Sequence, residues 1–180
     1  MRIKAADTMA MIVDYQESLM KVMDQGEELV KNAGILIRGL KVLGIPMIIT
    51  QQYTKGLGNS VAAIYEAAET EEYMEKIAFS SYREQHIMDA VTQTGRKNVI
   101  VCGIEAHICV LQTCIDLKEA GYQPILVTDC ISSRRKHDKD MGIQRAIQEG
   151  VLVTTYESIL FELLEKAGSD TFKKISKLVK

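Results

Sequence analysis

Short apolar runs alternate along this chain with amphipathic stretches of helical length, and six of the runs read as strands. These are Ala10 to Asp14, Pro46 to Thr50, a weaker one over Lys76 to Phe79, Val99 to Cys102, Pro124 to Thr128 and Val151 to Thr154. Helical periodicity runs over Glu27 to Leu43, Glu84 to Thr94, His107 to Ala120 and Arg134 to Gln148. Each of these helices ends near a glycine, at 44, 95, 121 and 150, where a helix C-terminus turns into the left-handed region. Repeated helix, glycine, strand punctuation predicts a three-layer α/β/α fold, a Rossmann-like doubly wound six-stranded sheet that is mainly parallel, in a single domain over 1–180.

Two stretches depart from the repeat. Residues 54–60, Thr-Lys-Gly-Leu-Gly-Asn-Ser, read as a flexible loop followed by a short helix over Val61 to Ala68 and the acidic run 69–72. An insertion on the carboxyl side of a strand is placed to cover a pocket, or is a plain solvated connection. The tail from Ser169 opens with a helix cap and spaces Phe172, Ile175 and Leu178 on one face, which predicts a docking helix.

Composition narrows the function classes. A net charge of −2 leaves no basic footprint for nucleic acid, so no nucleic-acid partner is expected. No apolar run approaches the roughly 18 residues that span a bilayer, and the first residues lack a signal-peptide core, so the expectation is a cytoplasmic protein with no membrane partner. The four cysteines, at 102, 109, 114 and 130, lack Cys-x-x-Cys spacing and are expected as reduced thiols. The three histidines, at 86, 107 and 137, do not cluster, and no Gly-x-Gly-x-x-Gly or Walker motif is present. Neither a metal nor a cofactor is expected.

In a doubly wound sheet, ligands bind beyond the carboxyl ends of the strands where the strand order reverses. Asp14 closes the first strand, and Cys109 follows the fourth across the turn at Gly103. A thiol in the first turn of a helix is expected to gain thiolate character from unpaired N–H groups and the positive dipole end. Lys76, at the start of the weak third strand, would complete the charge balance if it lay beside them. Asp14 as a simple turn cap, and Lys76 as an ordinary exposed lysine, are the alternatives.

Three segments, Ile12-Val-Asp14-Tyr-Gln16, Lys76-Ile-Ala-Phe-Ser-Ser81 and Gly103-Ile-Glu-Ala-His-Ile-Cys109-Val-Leu-Gln-Thr113, resemble the signature segments of the isochorismatase-like cysteine hydrolases. The region 103–133 and the tail are most similar to the branch called isochorismatase domain-containing proteins. The resemblance implies a catalytic triad of Asp14, Lys76 and Cys109, and a cis peptide between Ile104 and Glu105. It also implies an oxyanion hole formed by the backbone N–H groups of Glu105 and Cys109, and a homo-oligomer. The nicotinamidase branch carries an Asp-x-His metal motif where this chain has Thr50-Gln-Gln-Tyr53, which again implies no metal.

The activity so implied is hydrolysis of a small-molecule amide or related carbonyl through a thioester, an amidase-type reaction. A redox-sensing or ligand-binding protein using the same thiol, and an interaction scaffold, are the alternatives. Strand-end position nominates Tyr15, Gln16, Gln52, Tyr53, Phe79 and Tyr82 as substrate-pocket residues, each with simple packing as its alternative.

Overall fold

The computed structural model describes residues 1–180. The strands are β1 (Thr8–Val13), β2 (Met47–Gln52), β3 (Met74–Lys76), β4 (Asn98–Ile104), β5 (Gln123–Ser132) and β6 (Leu152–Thr154). The helices are α1 (Glu17–Met20), α2 (Gly26–Val42), α3 (Thr54–Leu57), α4 (Ala62–Ala68), α5 (Gln85–Gln93), α6 (Leu111–Glu119), α7 (Lys136–Gln148), α8 (Tyr156–Leu164) and α9 (Asp170–Leu178).

All six strands pair in parallel in the order β3-β2-β1-β4-β5-β6. The chain winds one way from β1 to β3 and the other way from β4 to β6, so the order reverses between β1 and β4. Because both faces of the sheet are covered, its central strands carry continuous apolar runs, and every residue of β1 and β4 is buried. Alternate β1 side chains serve the two layers. Ala10 and Ile12 face α2, α4, α8 and α9, while Met9, Met11 and Val13 face α5, α6 and α7. In α2 the buried residues Leu29, Ala33, Leu36, Ile37 and Leu40 recur at helical spacing and turn one face of the helix into this layer.

The glycines at 44, 95, 121 and 150 all hold positive φ, between +65° and +85°, as the helix stops predicted. Several boundaries differ from expectation. β3 ends at Lys76 where it was expected to begin, because the chain beyond is held as a loop by Glu84, whose Oε1 accepts the N–H groups of Ile77 and Ala78 at 2.8 and 2.9 Å. β5 runs on to Ser132, past an irregularity in its pairing opposite Val101 and Gly103. Residues 54–57 form a helical turn rather than a loop, and α1 and α8 have no counterpart in the sequence reading. Of the three tail residues only Ile175 is fully buried, with Phe172 packing against Phe161 at a ring separation of 6.2 Å. No helix is long and apolar enough to cross a membrane.

Candidate active site

Three chain segments converge beyond the carboxyl ends of β1, β3 and β4. β1 leaves the sheet at Asp14, whose φ of +54° is a left-handed kink that aspartate tolerates better than most residues. Its N–H still reaches back to Thr50 O of β2 at 3.1 Å, so the carboxylate is fixed at the strand end. Lys76 closes β3, and its register partner on β2 is Gln52. β4 ends at Ile104, the Ile104–Glu105 peptide is cis, and a π-helical turn over Ala106–Val110 presents Cys109 before α6 begins.

Gly103 makes this junction possible. Its φ is +138°, and a Cβ there would stand 2.1 Å from Val13 O and 2.7 Å from Val13 Cβ. Only a glycine lets β4 pass this close to the residue preceding Asp14. On the outer side of the turn, Gly142 of α7 lies against the His107 and Ala106 backbone, where a Cβ would be 3.0 to 3.2 Å away. The turn is further held by Arg134, which donates to Glu105 Oε2 from its backbone N–H at 3.2 Å and from Nε at 3.1 Å. Ser133 Oγ adds a link to His107 Nδ1 at 2.9 Å. The Glu105 and His107 side chains therefore serve the shape of the turn.

Asp14 and Lys76 form an ion pair, Nζ to Oδ2 2.7 Å, with both side chains wholly inaccessible. Lys76 Nζ also donates to Gln52 Oε1 at 2.6 Å, Phe79 O at 2.9 Å and Ala78 O at 3.2 Å, and Thr50 Oγ1 donates to Asp14 Oδ1 at 2.9 Å. The Cys109 thiol lies close enough to both members of the pair for its proton affinity to respond to their charges. Cys109 keeps 7% exposure, against 0 to 1% for the other three cysteines, so it is the thiol that a solute can reach.

The electrostatics correct one expectation. Burial pushes the Cys109 thiol up to about 12, reinforced by the Asp14 carboxylate and opposed by Lys76. The expected resting thiolate is not found, because Cys109 sits in a buried π-helical turn two residues before α6, where desolvation is the largest influence on the thiol. Burial likewise raises Asp14 above the usual carboxylate range, with Lys76, Thr50 and Cys109 pulling it back.

The pocket nominees separate into two groups. Gln52 is at the site through its bond to Lys76, and Phe79 is there through its carbonyl, its ring being 55% exposed. Tyr53, half exposed, follows Gln52 at the rim. Tyr15 does not face the site: it is buried in the layer on α2, with its hydroxyl donating to Cys130 O. Gln16 is a clamp, its amide bonding both the N–H and C=O of Gln52 as well as Gly58 O. Tyr82 packs edge-on against Tyr122 at 5.6 Å, and Tyr122 precedes β5, at the opposite end of the strands from Cys109. No group of three or more His, Cys, Asp or Glu side chains converges in a way that would hold a metal. The sequence reading missed Thr50, Ser81 and Thr113, buried hydroxyls around the ion pair and the cysteine. Their only signal was a strand-end or helix-start position beside a nominated residue.

A six-stranded parallel sheet with a buried carboxylate, ammonium and thiol near its switch point defines a doubly wound α/β protein whose candidate site lies beyond the carboxyl ends of the strands. The isochorismatase domain matches residues 8–158, and the chain belongs to that family. It is 34% identical over 178 residues to isochorismatase domain-containing protein 2 of Danio rerio, covering 99% of this chain and 89% of that protein. Among solved structures it is similar to the MAR1 ribonuclease of Caenorhabditis elegans, with a TM-score of 0.92, 32% identity, and coverage of 99% and 92% of the two chains. It also shares its fold with the YcaC gene product of Escherichia coli, described as an octameric hydrolase of unknown specificity. That match has a TM-score of 0.87, 21% identity, and coverage of 92% and 83%.

Proposed function

We propose that this isochorismatase-family chain is a cysteine-dependent hydrolase of a small amide or related carbonyl compound, working through a thioester on Cys109. The observation that carries the reading is the sealed Asp14–Lys76 pair in contact with the one thiol that retains exposure. A thiol pushed up to about 12 is neutral at rest, so attack requires a base at its side. Asp14 is that base, and its raised proton affinity makes it a better acceptor than an ordinary carboxylate. Lys76 keeps the pocket's charge balanced as the proton moves from sulfur to Asp14.

The sulfur adds to the carbonyl carbon, and the resulting oxyanion is held by the backbone N–H groups of Glu105 and Cys109. Losing one such donor typically costs about 3 kcal/mol in the transition state. Asp14 then gives its proton to the leaving amine as the C–N bond breaks, and water hydrolyses the thioester. Tyr53, Ile77 and Phe79 expose apolar side chains along the rim, which suits a substrate with an apolar portion and self-association of the chain around the site. Four unpaired buried thiols suit a reducing, cytoplasmic setting.

Ammonia release from a panel of small amides tests the reading, with an RNA oligonucleotide as a further arm. The expected result is turnover of at least one amide by the native protein and none by Cys109→Ala. Full turnover by Cys109→Ala, or cleavage of RNA alone, would overturn it.

A further inference from the structure

Behind the ion pair lies a set of buried hydroxyls. Thr50, Ser81 and Thr113 are each 0% exposed and come from three different elements, β2, the short turn after β3, and α6. Thr50 Oγ1 donates to Asp14 Oδ1 at 2.9 Å, and Ser81 Oγ stands 3.4 Å from Thr50 Oγ1. Since Thr50 spends its only proton on the carboxylate, the proton between the two hydroxyls belongs to Ser81. The backbone N–H of Ser81 donates to Thr113 Oγ1 at 2.9 Å, and Thr113 Oγ1 donates to Cys109 O at 2.6 Å.

A threonine bonding back to the carbonyl four residues earlier is common in helices. A threonine that at the same time receives an N–H from a segment anchored to the carboxylate's own partner is not explained by helix geometry. The path Asp14, Thr50, Ser81, Thr113, Cys109 joins the two reacting residues by a second route, independent of their direct contact.

We propose that Thr50, Ser81 and Thr113 are positioning residues, a buried chain of hydrogen bonds that holds the Asp14 carboxylate and the Cys109 turn in mutual register. The inference rests on the Asp14–Cys109 reading above and extends it to residues that touch no substrate. The titratable side chains facing Asp14 are Lys76 from β3 and Cys109 from the turn before α6, while β2 presents only the Thr50 hydroxyl. Thr50 therefore supplies the one hydroxyl donor to the carboxylate, and its removal is felt in the protonation of Asp14.

The rate of Cys109 alkylation by iodoacetamide, followed on its peptide by mass spectrometry between pH 4 and 9, reads this without knowledge of the substrate. In the native protein the rate rises through an acid limb as Asp14 loses its proton. In Thr50→Val that limb moves to higher pH by about one unit, the usual scale for losing a hydrogen bond to a charged group, and Thr50→Ser restores it. Thr113→Val leaves the limb in place and lowers the plateau at least threefold.

If Thr50→Val fails to fold, Ser81→Ala carries the test with a smaller upward shift. A limb in Thr50→Val, or in Ser81→Ala where that variant stands in, that coincides with the native one would overturn the inference. Asp14→Asn separates the two claims. If it keeps the native limb, the base reading itself fails; if it abolishes the limb while Thr50→Val does not move it, only the hydroxyl chain fails.

Discussion

Replacing Lys76 by Met tests the physical centre of the structure. Methionine fits the length and apolar stem of the lysine but removes an ammonium that four acceptors surround: Asp14 Oδ2 at 2.7 Å, Gln52 Oε1 at 2.6 Å, Phe79 O at 2.9 Å and Ala78 O at 3.2 Å. Removing one partner of a buried ion pair costs about 3 to 5 kcal/mol because the remaining charge is left uncompensated. Each neutral acceptor that loses its donor adds on the order of 1 kcal/mol. Against a total stability of about 5 to 15 kcal/mol, the variant should lose roughly half or more.

The pH dependence of that loss has a definite sign. Lys76 lowers the pKa of Asp14 while burial raises it, so without Lys76 the carboxyl rises further above its ordinary 3.8. The deficit is therefore largest at neutral pH and shrinks as pH falls through the new Asp14 pKa, where the carboxyl becomes neutral. Urea unfolding of native, Lys76→Met and Lys76→Met/Asp14→Asn proteins at pH 7.5 and 5 measures it, and the double variant should recover part of the loss. A single-variant cost below about 1 kcal/mol, or one that does not change with pH, would refute the description of a sealed and mutually dependent pair.

Gly103→Ala should be among the most damaging small substitutions, losing about 3 kcal/mol or more, since its Cβ would overlap the Val13 carbonyl and no side chain can move aside. Gly142→Ala meets its neighbours at 3.0 to 3.2 Å and should cost less, about 1 kcal/mol, so a thermal melt that ranks the two the other way round contradicts the packing described. The protein should also lose stability in alkali. Cys102, Cys109 and Cys114 are each pushed from 9.0 to about 12 by burial, so their contribution is intact below pH 9 and lost as pH rises towards 12. At pH 10 each thiol should cost about 1.4 kcal/mol, and Cys114→Ala should reduce the difference between urea unfolding at pH 8 and pH 10 by that amount. An unchanged difference would mean that the Cys114 thiol ionises as readily in the folded protein as in the unfolded one.

Much of the fold was legible because its signals are local. The continuous apolar run of β4 and the glycines at 44, 95, 121 and 150 mark, within a few residues, where a strand must be buried on both faces and where a helix must stop. What escaped depends on distant partners. β3 ends at Lys76 because Glu84 captures the following N–H groups. α8 is the exception, since its Thr155 cap and the spacing of Ile159, Leu160 and Leu163 are local signals that were passed over. Strand-end position nominated Tyr15 and Gln16 as substrate-pocket residues. It said nothing of which way they turn, and the kink at Asp14 sends the tyrosine into the layer on α2.

The candidate site shows the same division at finer scale. Asp14 and Cys109 drew notice as a carboxylate closing one strand and a thiol following another, and β1 and β4 do lie side by side, whereas Lys76, expected at the start of its strand, was nominated through the family resemblance. Whether the thiol would be ionised was not legible, because that depends on how completely the turn is sealed, and burial there reverses the sign expected from a helix terminus. Thr50, Ser81 and Thr113 are harder still to read, since threonine and serine are ordinary at such positions and acquire meaning only from the side chains they meet. A neutral thiol beside a raised carboxylate reacts only if the proton's path is held short. In such a site the unremarkable hydroxyls that fix two backbones in register matter to the chemistry as directly as the groups that exchange the proton.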